Sequence, residues 1–426
     1  MLFCDLNEEE FKQHDQYRSK GVIYHEIKLK NRGTRCLNCG KFTTRVKEYR
    51  TKTIVHNIYH SENCKIIYHQ RRFICPDCGK TRMEDDPFTS KGNRISDKTI
   101  ANILDVLKRY NVPFRQAAEM FHLSVSEIIS IFDRYVRMDR LKLSPVICLD
   151  EIYFSRTRKK KYVLVIINFA NRAILDILKD RDKSTLSSYL RKLDFKEKDG
   201  VEYVGIDMND NYRDIASVYF KNALIVADSF HVLRHVRDAL DSVRKNVMRR
   251  YEQDKRSDEY YLLKYRDELL YEKDISSGNH ILMRRNHHFH LDMSDHELLK
   301  RTLKIDGELN DAYELYHRYV RFNDTFCDDR SKVLDDLKEI INDFRISGIR
   351  EFQQLAETLN NWKAEIVNSF DRYKGVRVSN GPIEGRNSLI KKILRIANGY
   401  SNFRRFRNRV MYCLNRHSTH SFRKDI

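Results

Sequence analysis

Two groups of residues in this chain have the types and spacing that metal chemistry needs. In the first, Cys36-Leu-Asn-Cys39 and Cys75-Pro-Asp-Cys78 form Cys-x-x-Cys turns, the second followed by Gly79. Two thiolates in one tight turn can face a single tetrahedral Zn²⁺, and two such turns complete a four-sulfur site. The loop between the pairs is longer than usual, so Cys64, His56, His60 and His69 within it are alternative ligands. The second group is acidic. Asp150 follows the apolar run Val146-Ile-Cys-Leu149, Asp207 follows residues 201–206, and Asp228 follows residues 223–227. Glu384 stands in Ser379-Asn-Gly-Pro-Ile-Glu-Gly-Arg-Asn387. A strand-end acid ordinarily caps a helix or faces water, and Asp207 could cap a helix starting near Asn211. Three acids gathered at one site would instead bind two Mg²⁺ (or Mn²⁺) ions. Such ions activate a water or a 3′-hydroxyl and stabilise the departing oxygen.

The elements that must position these acids follow from periodicity. Residues 145–232 are rich in β-branched runs, predicting strands over 146–154, 162–169, 173–178, 201–206 and 223–227, with helices from Ser184 and from Asn211. A three-strand meander followed by helix, strand, helix and strand resembles the order in ribonuclease H-like domains. In that layout the first and fourth strands are neighbours, which would bring Asp150 and Asp207 together. Residues 232–376 are helical in pattern, charged and poor in Gly and Pro. The third acid should come from a later helix. Pro382 suits a first helical turn, which places Glu384 in that turn with Asn387, Lys391 and Arg395 along its face.

Nearer the N-terminus, residues 97–110 carry a helical stripe of Ile100, Ile103, Leu104 and Leu107. After Pro113 a second helix contains the small pair Ala117 and Ala118. Ser124 and Glu127 form a capping box opening a third helix, buried through Ile128, Ile131 and Phe132. This is the spacing of a helix-turn-helix, with the third helix reading DNA. The candidate DNA contacts are Arg115, Gln116, Ser126, Ser130 and Arg134 here, with Arg386, Asn387, Lys391, Lys392 and Arg395 near the C-terminus. A plain helical hairpin is the competing interpretation of the first set, and a solvated basic tail that of the second.

The composition supports a polyanionic partner. Lys and Arg number 80 against 61 Asp and Glu, a formal net charge of +19, and such a surplus is costly in self-repulsion unless it meets nucleic acid. No apolar run is long enough to span a membrane, and the N-terminus lacks a secretory pattern. Nine cysteines, four of them in two close pairs, point to metal binding in a reducing compartment. A cytoplasmic protein is expected.

Taken in order, these blocks resemble the ISL-three family of bacterial insertion-sequence transposases. The resemblance rests on Arg71-Arg-Phe-Ile-Cys-Pro-Asp-Cys-Gly79, Leu149-Asp-Glu151, Asp207-Met-Asn-Asp-Asn-Tyr212 and Asp228-Ser-Phe-His231. It continues through Asn380-Gly-Pro-Ile-Glu-Gly-Arg-Asn387 and Arg395-Ile-Ala-Asn-Gly-Tyr400. It implies a ribonuclease H-like catalytic domain of the DDE type, interrupted by an all-helical insertion that contains Trp362, the only tryptophan. It also implies cutting and joining of double-stranded DNA at terminal inverted repeats, by a homodimer or larger assembly close to the bacterial nucleoid. The expected α/β multidomain chain divides into a zinc-binding module (1–92), a helix-turn-helix (93–143), the catalytic domain in two parts (144–231 and 377–426) and the insertion (232–376). The triad would be Asp150, Asp207 and Glu384, with Asp228 the alternative second acid. One departure is Ser229, where the family block usually has Arg. The competing readings are a zinc and helix-turn-helix DNA-binding regulator without catalysis, and an RNA-binding protein.

Overall fold

Alternating burial builds the N-terminal part of the molecule. The computed structural model describes residues 6–58, 62–90, 92–155, 159–275, 278–327, 329–416 and 418. The chain divides into two compact units, one comprising Met1–Arg140, Phe154–Arg156 and Ser388–Ile426, the other Leu141–Tyr153 and Thr157–Asn387. The first unit opens with strands β1 (Phe11–Ser19), β2 (Val22–Leu29), β3 (Thr34–Arg35), β4 (Phe42–Thr43), β5 (Val46–Val55), β6 (Asn63–Ile74) and β7 (Thr81–Met83). β1, β2, β6 and β5 form one sheet in that order, β7 pairs with β6, and β3 with β4 makes a separate ribbon. On β6, Cys64, Ile66 and Tyr68 turn inward at every second position, where Ile66 and Tyr68 join Ile27, Ile54 and Phe88 in a small core. β1 lies outside the expected elements because nearly all of its side chains are polar and exposed, leaving no alternation to read.

Three helices follow: α1 (Asp97–Leu107), α2 (Phe114–Met120) and α3 (Val125–Tyr135). Ser124 accepts from the Glu127 N–H while Glu127 reaches back to Ser124, so the expected capping box opens α3. Ile103, Leu104, Ala117, Phe121, Ile128 and Phe132 fill the space between the helices, together with Tyr412 from the far end of the chain. The helix Phe403–Leu414 is thus a fourth member of this bundle. Its Arg409 is 1% exposed and donates to the carbonyls of Arg109 at 3.0 Å and Val112 at 2.6 Å. Arg405 pairs with Asp133 at 2.6 Å, and the Tyr412 hydroxyl donates to the Leu104 carbonyl at 3.1 Å. Arg409 thus faces inward, onto the carbonyls of the connection between α1 and α2.

The second unit is built on β8 (Val146–Tyr153), β9 (Tyr162–Asn168), β10 (Ile174–Leu178), β11 (Tyr203–Ile206) and β12 (Leu224–Ala227). The sheet order is β10-β9-β8-β11-β12. β8, β9 and β10 pair antiparallel, whereas β11 runs parallel to both β8 and β12. These strands are nearly continuous apolar runs because helices cover the sheet. α4 (Lys183–Arg191), α5 (Phe195–Asp199), α6 (Asp210–Tyr219) and α7 (Ser229–Arg249) make the crossovers or lead onward. Leu186, Leu190, Tyr212 and Ile215 from α4 and α6 pack with Ile147, Leu149 and Ile206 of the sheet.

α7 carries the chain into a helical region of α8 (Asp258–Tyr265), α9 (Asp295–Leu303), α10 (Gly307–Asp324), α11 (Arg330–Ile346), α12 (Arg350–Asn361) and α13 (Lys363–Asn368). Trp362 is buried between α12 and α13, and the Arg213 guanidinium lies 4.2 Å from its ring. The region is not all-helical as expected. Two hairpins interrupt it, β13 (Arg284–Asn286) with β14 (Leu291–Met293), and β15 (Arg372–Tyr373) with β16 (Val376–Arg377). Their strands are too short for a period to show. Lys374 and Gly375 turn the second hairpin at φ 52° and 80°, the double left-handed turn that suits a two-residue connection. α14 (Gly381–Ile396) and α15 (Phe403–Leu414) complete the chain. Among the described residues no helix is long and apolar enough to cross a membrane.

Candidate active site and metal centre

Each cysteine pair is shaped by its own turn. The Gly40 N–H donates to the Cys36 carbonyl at 2.9 Å and the Gly79 N–H to the Cys75 carbonyl at 3.0 Å. Both glycines hold positive φ, 73° and 68°, where a side chain would be strained. The two turns face one another, with Cys36 and Cys78 sulfurs 3.5 Å apart and Cys39 and Cys75 also 3.5 Å apart. All four lie within 4.8 Å of each other. Backbone N–H groups of Cys39 and Asn38 hold the Cys36 thiol down to about 6. This donor set could hold a tetrahedral zinc ion. The alternative ligands are placed elsewhere. His56 meets Ser96 at 2.8 Å, His69 meets Glu26 at 2.7 Å, Cys64 is buried under the sheet, and His60 lies outside the described residues.

The acidic residues converge at the ends of the parallel strands. Asp150 is on β8, Asp207 follows β11 and Asp228 follows β12, and these three strands are neighbours. Asp150 and Asp207 are close enough for each carboxyl to perturb the other. Burial, then the charge of Asp207, pushes the Asp150 carboxyl up to about 7. Burial also raises Asp207. Asp228 has a different environment: it is 1% exposed, one oxygen accepting from the Asn380 N–H at 2.9 Å and the other from the His231 ring at 2.7 Å. The same ring nitrogen of His231 lies 3.2 Å from Asp207, and the bond to Asp228 raises its pKa.

Glu384 is in the first turn of α14, half-buried. Among the described residues, ligand atoms of Asp207, Asp228 and His231 gather within 4.8 Å, and neither Asp150 nor Glu384 belongs to such a group. One helical turn further on, Asn387 is 95% buried in the sense that 5% of it is exposed, and its amide donates to Asp150. Asn387 therefore sits inside the carboxylate site rather than on a surface open to DNA. Arg386 donates to the Arg172 carbonyl at 2.7 Å. Lys391, Lys392 and Arg395 are exposed along the same helix.

Of the candidates on α2 and α3, Gln116 and Ser130 are exposed. Arg115 is exposed but ion-paired with Glu119 at 3.3 Å. Ser126 shares a hydrogen bond with Ser124 at 3.0 Å, and Arg134 donates to Asn93 at 3.0 Å.

Sequence reasoning passed over Asn380. Its carbonyl takes the N–H groups of Ile383 and Glu384 at 2.9 and 3.2 Å, the ordinary work of a residue at a helix start. Its side chain does something else, donating to Asp207 at 3.1 Å and to the Leu149 carbonyl at 3.4 Å. With the N–H on Asp228, one residue clasps the ends of β8, β11 and β12. Gly205 makes room for it, since a Cβ there would lie 2.8 Å from the Asn380 Oδ1 atom. That oxygen and the Asn387 Oδ1 atom are buried without a hydrogen-bond partner in the protein. An Asn before Gly-Pro suits a turn or cap, and nothing in its neighbours points to partners on distant strands.

A family model described as a transposase, of the DDE and ISL-three type, matches residues 147–410. The transposase for insertion sequence element IS1001 of Bordetella parapertussis is 25% identical over 219 residues, covering 48% of this chain and 53% of that protein. The match thus spans about half the length of the curated relative.

Proposed function

The chain belongs to the ISL-three family of DDE transposases, and from that premise we propose that it binds the terminal inverted repeats of an insertion sequence and cleaves and transfers their DNA strands. The observation that carries this reading is the pair Asp150 and Asp207, two half-buried, mutually repelling carboxyls on neighbouring strands within the matched region. The sheet order, an antiparallel meander joined to two parallel strands, supports a ribonuclease H-like catalytic domain.

The residues fit a hard divalent cation. Their donors are carboxylate oxygens, with two orphaned amide oxygens beside them, and a cation would relieve the repulsion that burial has strengthened. Asp150 and Asp207 would hold Mg²⁺ or Mn²⁺, and Glu384 would complete the set from α14. When bound, such ions activate a water or a 3′-hydroxyl and stabilise the departing 3′ oxygen. Asp207 serves as the second acid in preference to Asp228, because both oxygens of Asp228 are already occupied by Asn380 and His231. Asn387 and Asn380 orient the two metal-facing carboxylates by donating to one oxygen of each. The four cysteines would hold a structural zinc ion. α1–α3 would act as a helix-turn-helix on the element ends, with Gln116 and Ser130 facing the bases. Lys391, Lys392 and Arg395 would contact phosphates, and joining two ends calls for a dimer or larger assembly.

Cleavage of a labelled duplex carrying the element's own ends, with Mg²⁺ or Mn²⁺, tests this reading. Asp150→Ala, Asp207→Ala and Glu384→Ala should each lose about a thousandfold in rate, several kcal/mol of transition-state stabilisation. Asp228→Ala should fall less, through displaced neighbours. A wild-type protein that binds the ends and never cuts them under either metal would overturn catalysis and favour a DNA-binding regulator.

A further inference from the structure

The acid site has a second side. Side chains alternate along β8, so Asp150 and Glu151 point to opposite faces of the sheet. On the face away from Asn380 and Asn387, the Tyr212 hydroxyl donates to Glu151 Oε1 at 2.6 Å. Arg181 pairs with the other oxygen of Glu151 and stacks 4.4 Å from the Tyr162 ring of β9. Tyr212 is 2% exposed, and its hydroxyl is committed to a charged acceptor, the stronger class of hydrogen bond.

The connections of this cluster lead to both metal-facing acids. The Glu151 N–H donates to Asp150 Oδ1 at 2.6 Å, so the backbone at Glu151 sets the Asp150 carboxylate. Tyr212 lies in α6, whose capping residue Asn209 donates its N–H to the Asp207 carbonyl at 2.6 Å. A short, hydrogen-bonded path therefore runs from Asp150 through Glu151 and Tyr212 to the helix that begins beside Asp207. Two half-buried carboxyls of like charge push apart, and something rigid must oppose them if a cation is to find them at a usable spacing.

We propose that Tyr212 and Arg181 are positioning residues for the divalent cation, holding Glu151 so that Asp150 and Asp207 keep the spacing the ion requires. This rests on the reading of Asp150 and Asp207 as metal ligands. Outer partners that orient ligands typically change metal affinity by about 10–100-fold when removed. Tyr212 keeps its ring in the core under Tyr212→Phe and loses only the oxygen. Arg181 is half exposed, so Arg181→Met probes the same cluster from the surface, with little demand on folding.

The experiment is calorimetric titration of the full-length protein with Mn²⁺, supported by the electron spin resonance signal of bound Mn²⁺, for wild type, Tyr212→Phe, Arg181→Met and Asp150→Asn. Melting curves without added Mn²⁺ accompany each titration. Tyr212→Phe and Arg181→Met are expected to bind Mn²⁺ about tenfold more weakly and Asp150→Asn not measurably. If both latch variants keep wild-type affinity while Asp150→Asn loses it, the metal site stands and the latch is wrong. A lowered melting temperature with unchanged affinity likewise overturns it, leaving a purely structural cluster. Absence of Mn²⁺ binding by the wild type overturns the latch and the metal-site reading together.

Discussion

The cysteine cluster and the carboxylate cluster are both gatherings of metal-ligating side chains, yet they are assembled in opposite ways. Each half of the cysteine site is finished within five residues, by a turn whose glycine supplies the positive φ. Only the meeting of the two turns is long-range. The acid site has no finished half. Asp150, Asp207 and Asp228 come from three strands, and the residue that joins those strands, Asn380, arrives after the whole helical region. Thiolates gathered by local turns contribute folding energy once metal binds, whereas buried carboxyls gathered by a sheet cost stability until a cation offsets them. With zinc bound, the first site would help to build its domain, whereas the second would be carried by a domain built for other reasons.

The largest expected effect tests the first half of that contrast. Cys75→Ser should abolish zinc binding and unfold the module around it, since structural zinc sites supply on the order of 10 kcal/mol of folding free energy. Hydrogen exchange would show lost protection across residues 6–90 with the sheet β8–β12 still protected. A variant that retains one equivalent of zinc and full protection would erase the distinction.

Next in size, Gly205→Ala should push Asn380 off the strand ends, because the added Cβ falls 2.8 Å from the Asn380 Oδ1 atom. Overpacking of this kind costs about 1–3 kcal/mol, read as a lower melting temperature together with slower cleavage. Equal cleavage by the variant would show that the clasp is dispensable.

The two sites should also answer pH in opposite senses. Asp150 has a raised folded pKa, so its favourable contribution is full below the ordinary value of 3.8 and is lost as pH rises through about 7. Metal held by the four thiolates would be released as protons compete for them at low pH. Without Mg²⁺ or Mn²⁺, the melting temperature of the β8–β12 unit should therefore fall between pH 4 and 7, and Asp150→Asn should flatten the trend. A wild-type curve as flat as the variant's would show that Asp150 carries no such strain.

The smallest effect separates α14 into two uses. Lys391→Ala and Lys392→Ala should each weaken binding to any duplex and lower the slope of log affinity against log salt by about 1. Asn387→Ala should slow cleavage and leave that slope unchanged, as befits a buried partner of Asp150. A reduced slope in Asn387→Ala would return it to the DNA surface.

What the sequence disclosed follows the same division. The Cys-x-x-Cys turns, the Ser124–Glu127 box and the apolar strands of the second unit are local patterns, and local patterns are legible one segment at a time. The strand-end acids were visible as candidates because each closes an apolar run, and their common site required the order of elements as well. β1 was missed because exposed polar strands have no period. Asn380 was missed because its role lies in partners 152 to 231 residues away. Asn387, expected on a DNA-facing surface, shows the converse: helical spacing told which residues share its face and not what that face meets. The basic C-terminal stretch was expected to grip phosphates, with a solvated tail as the competing reading, and the carbonyls of Arg109 and Val112 with the rings of Phe114 and Phe132 explain why its Arg409 is buried.

The fourth helix of that bundle has a consequence for the order of events during synthesis. α1, α2 and α3 leave the ribosome well before the residue that plugs their core, Tyr412. At about 5–20 residues per second, some fifteen seconds to a minute of translation separate α3 from α15. The three-helix unit thus waits, incomplete, until β8–β12 have been produced, and a nascent chain stalled in between would carry a loosened bundle rather than a finished one.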